Sequence, residues 1–315
     1  MSSTTSKALL ARVDEKIVGL RREAEVLTAS LAAGLHVVLE GPPGTGKSTL
    51  LRAVADAAGF GMEFVEGNAE LTPARLVGHH DPALVLETGY TPDIFVDGPL
   101  ATALREGRLL YIEELNRVPE ETLNVLVGAL AEGEIHVPRL GRIPAGPSFR
   151  LIAAMNPFDA VGTARVSQAI ADRMCRIAIS YQDASGERRI VTTVTGVDGA
   201  LPASAVELTR LTREHARVRM GSSVRGAIDL VRLAVGLAQL RGEPLPVPGD
   251  ASFADAAVAA LSGRLRVEEG CEQTPEAIVL ELIERLKPRA GEEVEPPPPG
   301  KAPGPALRPE PPVTP

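Results

Sequence analysis

Two adjacent carboxylates, Glu113 and Glu114, end an apolar run that includes Leu109 and Leu110. Consecutive side chains of an extended strand point to opposite faces, so the two carboxylates are expected to serve different purposes. A carboxylate at the end of a buried strand can hold a divalent cation or activate a water molecule. The structural alternative is a helix N-terminus that carries favourable acidic residues. Either chemical role requires a partner elsewhere in the chain.

A glycine-rich loop, "GPPGTGKS" at residues 41–48, supplies a candidate partner. It matches the G-x-x-x-x-G-K-[ST] pattern and stands between an apolar run and a helical pattern, which is the context that the pattern requires. Backbone N–H groups of such a loop cradle phosphates, the lysine reaches the β- and γ-phosphates, and the hydroxyl binds Mg²⁺. An ordinary Gly-Pro turn is the alternative. Lys47 is the only lysine between residues 17 and 286, and a compact ammonium suits phosphate oxygens better than a guanidinium does.

The loop and the carboxylates together predict a site for ATP and Mg²⁺. Glu113 is expected in the Mg²⁺ coordination sphere through water, because Mg²⁺ dehydrates reluctantly, and Ser48 is expected as the hydroxyl ligand. Glu114 is expected to act as the general base or to position the attacking water. The predicted nucleotide-binding residues of the loop are Gly41, Pro42, Pro43, Gly44, Thr45, Gly46, Lys47, Ser48 and Thr49.

The elements that must position these residues follow an alternating pattern. Residues 14–33 predict an amphipathic helix closed by Gly34, and short apolar runs predict buried strands at "LHVVLE", "MEFVEG", "RLLYIEE" and "FRLIAAMN". Helical patterns such as residues 119–131 separate these runs, which is typical of a parallel sheet covered by helices. The predicted fold class is therefore an α/β P-loop NTPase followed by a small all-helical lid.

The same patterns predict the domain boundaries. The nucleotide-binding core is expected over residues 1–182, a linker over 183–199, the helical lid over 200–287 and a tail over 288–315. The tail has 11 prolines among 28 positions and almost no large apolar residues, so it is expected to be disordered and partly polyproline. It would serve either to dock a partner or as an inert solubilising segment.

Composition and charge limit the classes of partner and compartment. A formal net charge of −8 and 3% aromatic residues favour neither phosphate-backbone attraction nor base stacking, so nucleic acid is disfavoured as a partner. Cys175 and Cys271 lie far apart in the sequence, which argues against a disulfide framework and predicts a cytoplasmic setting. No stretch reaches the roughly 18 consecutive apolar residues of a membrane span, so no membrane association is expected.

The order of these motifs resembles that of an AAA+ ATPase, and the intervening sequence resembles the MoxR branch. "EGPPGTGKS" is similar to the Walker A segment, and "ELTPARLVG" followed by "DGPLATALREGRLLYIEELNRVP" resembles the MoxR stretch that leads into Walker B. "IVG" at residues 17–19 is similar to the adenine-side entry, which adds Val18 to the predicted nucleotide-binding residues. The resemblance covers most of residues 17–287.

The resemblance also implies roles for residues beyond the two Walker motifs. "GEIHVPRLGRIPAGPSFRLIAAMNP" resembles the hairpin before sensor 1, with Asn156 at the sensor position. "VSQAIADRM" is similar to the segment that carries the arginine finger, which implies Arg173, with Arg165 and Arg176 as alternatives. "GSSVRGAIDL" is similar to sensor 2, which implies that Arg225 reaches the γ-phosphate, whereas a solvated helix charge is the alternative.

A MoxR-like ATPase is expected to form a homo-hexamer and to act as a chaperone that matures or remodels a client protein, often with a von Willebrand factor A-type partner. One departure from the family pattern bears on turnover, since Glu113 stands where Walker B usually carries Asp. A nucleotide-gated scaffold with little hydrolysis is therefore an alternative. A nucleic-acid-dependent motor is a second alternative, against which the acidic charge argues.

Two further clusters have competing interpretations. "GHHDP" at residues 78–82 contains metal-ligand types but no accompanying Cys or His cluster, so a polar loop is favoured over a metal site. Arg139 and Arg142 in "VPRLGR" could contact nucleic acid, but a solvated turn is favoured.

Overall fold

The computed structural model describes residues 3–157 and 167–286. Alternating apolar and helical patterns fold into a three-layered α/β unit followed by a helical unit. The helices of these residues are α1 Ser3–Asp14, α2 Arg21–Ala32, α3 Lys47–Ala58, α4 Pro73–Val77, α5 Pro82–Thr88, α6 Pro99–Glu106, α7 Glu120–Glu132, α8 Gln168–Ala171, α9 Ala184–Thr195, α10 Ala200–Glu214, α11 Val224–Arg241, α12 Ala251–Leu261 and α13 Pro275–Leu286.

The strands form one five-stranded sheet and three two-stranded ribbons within the described residues. They are β1 His36–Glu40, β2 Met62–Glu66, β3 Gly78–His80, β4 Phe95–Asp97, β5 Leu109–Glu113, β6 Glu134–Val137, β7 Gly141–Pro144, β8 Arg150–Met155, β9 Met174–Ala178, β10 Val218–Met220 and β11 Arg266–Val267. The large sheet has the order β2-β5-β8-β1-β9, and all its pairs are parallel. The predicted parallel sheet with flanking helices is therefore confirmed.

The two faces of the sheet bury alternate residues of the same strand. Leu110 and Ile112 of β5 belong to the apolar cluster that includes α6 and α7. Leu109 and Tyr111, which alternate with them, belong to the cluster on the other face with α2 and α3. Because both faces are covered, β5 is apolar throughout until it reaches Glu113.

Parallel strands bring their carboxyl ends to one edge of a sheet, and this edge gathers the polar segments. The phosphate loop follows β1, the two carboxylates end β5, and Asn156 follows β8. These three strands are neighbours in the order β5-β8-β1. Ligand sites of open α/β sheets lie beyond the carboxyl ends of the strands, so the fold alone places the predicted residues together.

The helical unit begins earlier than the sequence predicts. Residues 183–199, expected as a linker, contain α9, which packs against α10 and α11. Its Val191 is fully buried in the apolar cluster of the helical unit, together with Leu208, Leu230 and Phe253. The prediction fails because the apolar positions of α9 are few, and only packing against α10 and α11 gives them a core.

The predicted helix over residues 14–33 is interrupted. The structure has α1 ending at Asp14 and α2 beginning at Arg21. Between them Gly19 and Leu20 have φ angles of 69° and 58°, a left-handed conformation that a right-handed helix excludes. Apolar spacing continues across the break, which is why the pattern hides it. The residues "IVG" consequently lie in a loop rather than on a helix.

The shorter ribbons and the remaining segments complete the described structure. The predicted hairpin before β8 is present as the antiparallel pair β6–β7. A second antiparallel ribbon is formed by β3 and β4, and α5 lies in the connection between them. The proline-rich tail and the segment that contains Arg165 lie outside the described residues. Within residues 3–157 and 167–286, no helix has the length and apolar character that crossing a bilayer demands.

Candidate active site

The loop from Gly41 to Ser48 wraps closely because its glycines permit it. Gly44 and Gly46 have φ angles of 75° and 90°, which side-chain-bearing residues adopt at a cost. Gly41 lies against β9, and a Cβ there would be 2.0 Å from the carbonyl oxygen of Ile179. Thr45 donates from Oγ1 to the carbonyl of Pro42 at 2.9 Å, which fixes the loop from within.

Lys47 holds its ammonium over this loop. Its Nζ donates to the carbonyls of Gly41 at 2.7 Å and Pro42 at 2.8 Å. The pKa of Lys47 is lowered to about 8, mainly by burial; Arg225 contributes to the decrease, and Glu113 and Glu114 oppose it. The lysine therefore lies in the combined field of two carboxylates and the lid arginine.

Ser48, Tyr111 and Glu113 form a short hydrogen-bonded chain. Ser48 Oγ donates to Glu113 Oε1 at 2.7 Å, and the hydroxyls of Ser48 and Tyr111 are 3.0 Å apart. Burial raises the pKa of Tyr111 to about 12. Because the single hydroxyl hydrogen of Ser48 goes to Glu113, the Tyr111 hydroxyl donates to Ser48. Glu113 thus reaches the hydroxyl of the phosphate loop despite being one methylene longer than the aspartate usual in the family.

Both carboxylates face the same cavity, contrary to the expectation of opposite faces. The backbone leaves the extended conformation at Glu114, whose φ and ψ angles are 54° and 44°. This left-handed residue turns the chain into a 3₁₀ turn over Leu115–Arg117 and redirects the second side chain. Glu114 then pairs with Arg117 at 3.0 Å. The alternation rule fails here because it applies only while the strand continues.

A cavity of about 520 Å³ collects the predicted phosphate-side residues. Phosphate-loop residues form one wall, the ends of β5 and β8 form the second, and the helical unit forms the third. The lining residues are Pro43, Gly44, Gly46, Lys47, Ser48, Thr49, Glu113, Glu114, Arg117, Ala154, Met155, Asn156, Arg219, Met220, Arg225, Arg266, Val267 and Glu269. The side chain of Asn116 donates to the carbonyl of Asn156 at 3.4 Å, which links the ends of β5 and β8.

A second cavity of about 290 Å³ lies on the other side of the loop and contains Val18. Gly44, Gly46, Thr49 and Arg225 line both cavities. The remaining wall is largely apolar and is contributed by the turn before α2 and by the helical unit; it includes Ile17, Leu20, Ile190, Val194 and Ile228. The structure therefore places the adenine-side residue implied by the resemblance next to the phosphate loop.

The helical unit brings more cationic side chains to the phosphate-side cavity than sequence reasoning predicted. Arg225, near the start of α11, is one of them, and Arg219 and Arg266 on the β10–β11 ribbon are the others. Arg117 of the core faces the same cavity. Arg117 could have been predicted from the sequence, because it follows the carboxylates within "EELNR". Arg219 and Arg266 could not, because they are distant in sequence and meet only through the ribbon.

Arg173 lies away from both cavities of its own chain. It is exposed, and it donates from Nη1 to the carbonyl of Ala169 at 2.7 Å. Arg176 is instead engaged with Glu40 through two contacts, one of them 2.8 Å long, and this arginine lowers the pKa of Glu40. Arg165 falls outside the described residues.

The oxygen atoms at the junction of loop and strand suit a hard divalent cation. Ser48 Oγ and Glu113 Oε1 are adjacent at 2.7 Å and line the cavity. Among the described residues, no group of three or more His, Cys, Asp or Glu side chains could hold a metal ion. Mg²⁺ is bound by one or two protein ligands together with substrate phosphates and water, so the pair fits this ion.

His80, Arg139 and Arg142 of the two ribbons have structural partners. His80 packs edge-on against the rings of Tyr90 and Phe95, both at 5.1 Å between centroids. Arg139, at the β6–β7 turn, lies 3.7 Å from the centroid of the Tyr90 ring. Arg142 pairs with Glu134, with one contact of 2.9 Å. The β6–β7 turn therefore contacts the connection between β3 and β4 through Arg139 and Tyr90.

Comparisons with known proteins show which families this chain is similar to. The family described as "AAA domain (dynein-related subfamily)" matches residues 36–174. The gas vesicle ATPase GvpN of Ancylobacter aquaticus is 29% identical over 317 residues, covering 91% of this chain and 87% of that protein. An uncharacterised protein of Staphylococcus epidermidis is 30% identical over 206 residues, covering 63% of this chain and 78% of that protein.

Two solved structures show the same fold. A Cytophaga hutchinsonii protein assigned as an ATPase has a TM-score of 0.51 at 20% identity, covering 90% of this chain and 94% of that one. A RuvB variant of Thermotoga maritima has a TM-score of 0.53 at 17% identity, covering 78% and 70%. With its Walker motifs at the carboxyl edge of the sheet and a helical unit over them, the chain belongs to the AAA+ ATPases.

Proposed function

We propose that this protein binds and hydrolyses Mg²⁺-ATP at the carboxyl edge of its sheet and uses the cycle to remodel a client protein. The observation that carries the proposal is the 2.7 Å hydrogen bond between Ser48 Oγ and Glu113 Oε1, beside Lys47. It joins the phosphate loop to the strand that ends in the carboxylates. The matching family and the gas vesicle ATPase relative support ATP hydrolysis as the general activity.

Each cavity residue has a role that its chemistry supports. Lys47 and the loop N–H groups would hold the phosphates, and Ser48 and Glu113 would hold Mg²⁺, which when bound offsets phosphate charge. Glu114 accepts a proton from the attacking water, and its pairing with Arg117 fixes the side chain. The amide of Asn156 can hydrogen-bond the water and the γ-phosphate. Arg225 contributes a cation from the helical unit.

The exposed position of Arg173 supports a site shared between subunits. An arginine that lies outside its own cavity can complete the cavity of a neighbour and offset charge that develops on the transferred phosphoryl group. We therefore propose a homo-hexameric ring in which hydrolysis depends on assembly. Movement of the helical unit against the core would act on the client, with a von Willebrand factor A-type protein as the expected adaptor.

A nucleotide-gated scaffold is the competing function, and Glu113 in place of aspartate favours it. Such a protein would bind ATP and assemble without appreciable turnover. The contact between Glu113 and Ser48 supports the hydrolytic alternative, because the longer side chain still reaches the loop hydroxyl.

The first experiment measures Mg²⁺-ATP hydrolysis per subunit over a range of protein concentrations. We expect the rate per subunit to rise with concentration, because assembly completes the site, and to fall to background in Glu114→Gln, which should still bind ATP. Arg22→Ala, an exposed substitution on α2, serves as the surface control and should match wild type. Background hydrolysis at every concentration with ATP still bound would instead support the scaffold.

A further inference from the structure

The two cavities that meet at the phosphate loop would hold different parts of a bound nucleotide. Gly44, Gly46, Thr49 and Arg225 line both, so a nucleotide whose phosphates occupy the first cavity extends its base towards the second. The second cavity measures about 290 Å³, near the lower end of small-molecule sites. This inference rests on the proposed function and concerns which base the site accepts.

We call the second cavity the base-side cavity. Its apolar wall does not by itself distinguish adenine from guanine. Ile17, Val18, Ile190 and Val194 offer surface to a flat ring, and adenine and guanine present nearly the same apolar faces. Discrimination between bases requires hydrogen-bonding groups at the ring edge, because an unpaired buried polar group is costly.

Most polar side chains of this cavity are committed elsewhere or cannot discriminate. Lys16 pairs with Asp56 at 2.9 Å, and Thr45 donates to the carbonyl of Pro42. Glu187 is held by Arg210 at 3.2 Å and Arg213 at 2.8 Å. Hydroxyls, such as that of Tyr181, rotate to donate or accept and so suit either base.

With Arg225 assigned to the phosphates, Gln182 is the exception. It lines the cavity, and within the described part of the chain no hydrogen bond is formed by its side-chain amide. The amide lies against Gly19, where an added Cβ would be 2.1 Å from Oε1 of Gln182. The absence of a side chain at position 19 therefore makes room for the amide beside the loop that contains Val18.

The backbone around Gln182 is fixed. Its carbonyl accepts from Arg210 Nη1 at 3.2 Å. The next residue, Asp183, caps α9 by accepting from the backbone N–H of Gly186 at 2.6 Å. The anchored backbone fixes where the Gln182 side chain leaves the chain, so binding has to order only the side chain itself.

We propose that Gln182 reads the N6–N7 edge of adenine and thereby selects ATP over GTP. A primary amide places an acceptor beside a donor, which matches the N6 amino group and N7 of adenine. Guanine presents two acceptors, O6 and N7, at the same edge. The amide oxygen would then face an acceptor, so guanine loses one of the two hydrogen bonds.

Equilibrium binding of ATP, 7-deaza-ATP and GTP to the full chain tests this assignment, with Glu114→Gln as the parent to keep the nucleotides intact. 7-deaza-ATP lacks only the N7 acceptor, so the parent should bind it about 2- to 10-fold more weakly than ATP. GTP should bind about 5- to 100-fold more weakly than ATP. Adding Gln182→Leu or the near-isosteric Gln182→Glu should abolish the difference between ATP and 7-deaza-ATP, because neither side chain donates to N7.

Two results would overturn the assignment: equal binding of ATP and 7-deaza-ATP by the parent, or a difference that persists in both Gln182 variants. Each comparison is made within one variant, so a general loss of affinity does not affect the ratio. If the parent binds none of the three nucleotides, the proposed function itself is wrong. If it binds ATP without discriminating at N7, only the role of Gln182 is wrong.

Discussion

Tyr111 and Glu113 illustrate how strand geometry determines a site at the scale of single residues. Their side chains lie two positions apart on β5, so both point to the face that carries α3. Glu113 reaches Ser48 at 2.7 Å, and Tyr111 supports the same hydroxyl at 3.0 Å. The same spacing could have identified Tyr111 from sequence, because it is the one hydroxyl on that face of the strand. Its hydroxyl donates to Ser48, whose own hydrogen goes to Glu113.

His36 presents a titratable group at the start of β1. Its Nδ1 accepts from the backbone N–H of Leu151 at 2.9 Å, and its ring packs against Phe149. Burial, with the nearby Arg150, lowers the pKa of His36 from 6.5 to about 4. The folded chain therefore keeps this histidine neutral where the unfolded chain would protonate it.

We predict that this histidine makes the fold acid-sensitive. Above pH 6.5 both states are neutral and His36 contributes no pH dependence; between pH 6.5 and about 4 the unfolded state binds more protons. The free energy of unfolding should fall over this window, by about 2 kcal/mol at pH 5 from this residue. Chemical denaturation of wild type and His36→Asn at pH 7 and pH 5 measures the effect.

Asparagine can keep the acceptor for Leu151 but does not titrate, so His36→Asn should lose about 2 kcal/mol less than wild type between the two pH values. Equal losses in the two proteins would assign the acid sensitivity to groups other than His36.

At the scale of elements, the helical unit is joined to the phosphate loop by a buried polar network. Glu187 of α9 is paired with Arg213 of α10 at 2.8 Å, although the two atoms are misaligned for a hydrogen bond. Arg213 also donates to the carbonyl of Ser222 at 2.6 Å and stacks on Tyr181. The next residue, Ser223, is the N-cap of α11 and lies directly against Gly44 of the loop.

Substitution of Gly44 should therefore destabilise the fold more than substitution of a glycine elsewhere that has a similar backbone conformation. A Cβ at Gly44 would be 2.3 Å from Ser223 Oγ, whereas at Gly59, which has a similar φ of 72°, nothing lies within 4 Å. Alanine at either site costs about 1–2 kcal/mol in the left-handed backbone, but only Gly44→Ala must also displace Ser223, the N-cap residue of α11. We predict a greater loss of unfolding free energy for Gly44→Ala than for Gly59→Ala, measured by chemical denaturation.

The two variants should also differ in their affinity for ATP, measured by titration. Gly44→Ala should weaken binding, because Gly44 lines both cavities, and Gly59→Ala should leave it unchanged. Identical behaviour of the two variants would show that the contact between loop and helical unit contributes nothing beyond backbone strain.

At the scale of the whole molecule, the proposed ring makes a prediction that a single subunit does not. Arg173→Ala should lower hydrolysis by about 10³- to 10⁵-fold, as removal of an arginine finger does in related enzymes, without preventing ATP binding. The reason is that Arg173 is exposed and lies outside the cavities of its own chain.

Mixing two inactive variants provides the sharper measurement. Arg173→Ala keeps an intact Glu114, and Glu114→Gln keeps an intact Arg173, so a mixed ring regains complete sites where the two meet. We expect hydrolysis to reappear on mixing and to be greatest near equal proportions. No recovery would rule out Arg173 as the trans residue, and full activity of Arg173→Ala alone would transfer the role to Arg176 or Arg165.

The sequence determined the fold class and the phosphate-side half of the site, for a local reason. Walker A, the strand that ends in Glu113 and the position of Asn156 are short segments whose periodicity and order specify a parallel sheet, and parallel strands deliver their carboxyl ends to one edge. Local patterns do not encode breaks such as Leu20, turns such as Glu114, or the packing that makes α9 part of the helical unit.

Tertiary structure decided which distant residues meet. Arg219 and Arg266 line the phosphate-side cavity together only because β10 pairs with β11. Gln182 reaches the base-side cavity only because Gly19, more than 160 positions earlier, leaves space for its amide. Such contacts depend on how whole elements pack, and the packing energy is spread over many apolar residues, so no motif in the sequence marks them.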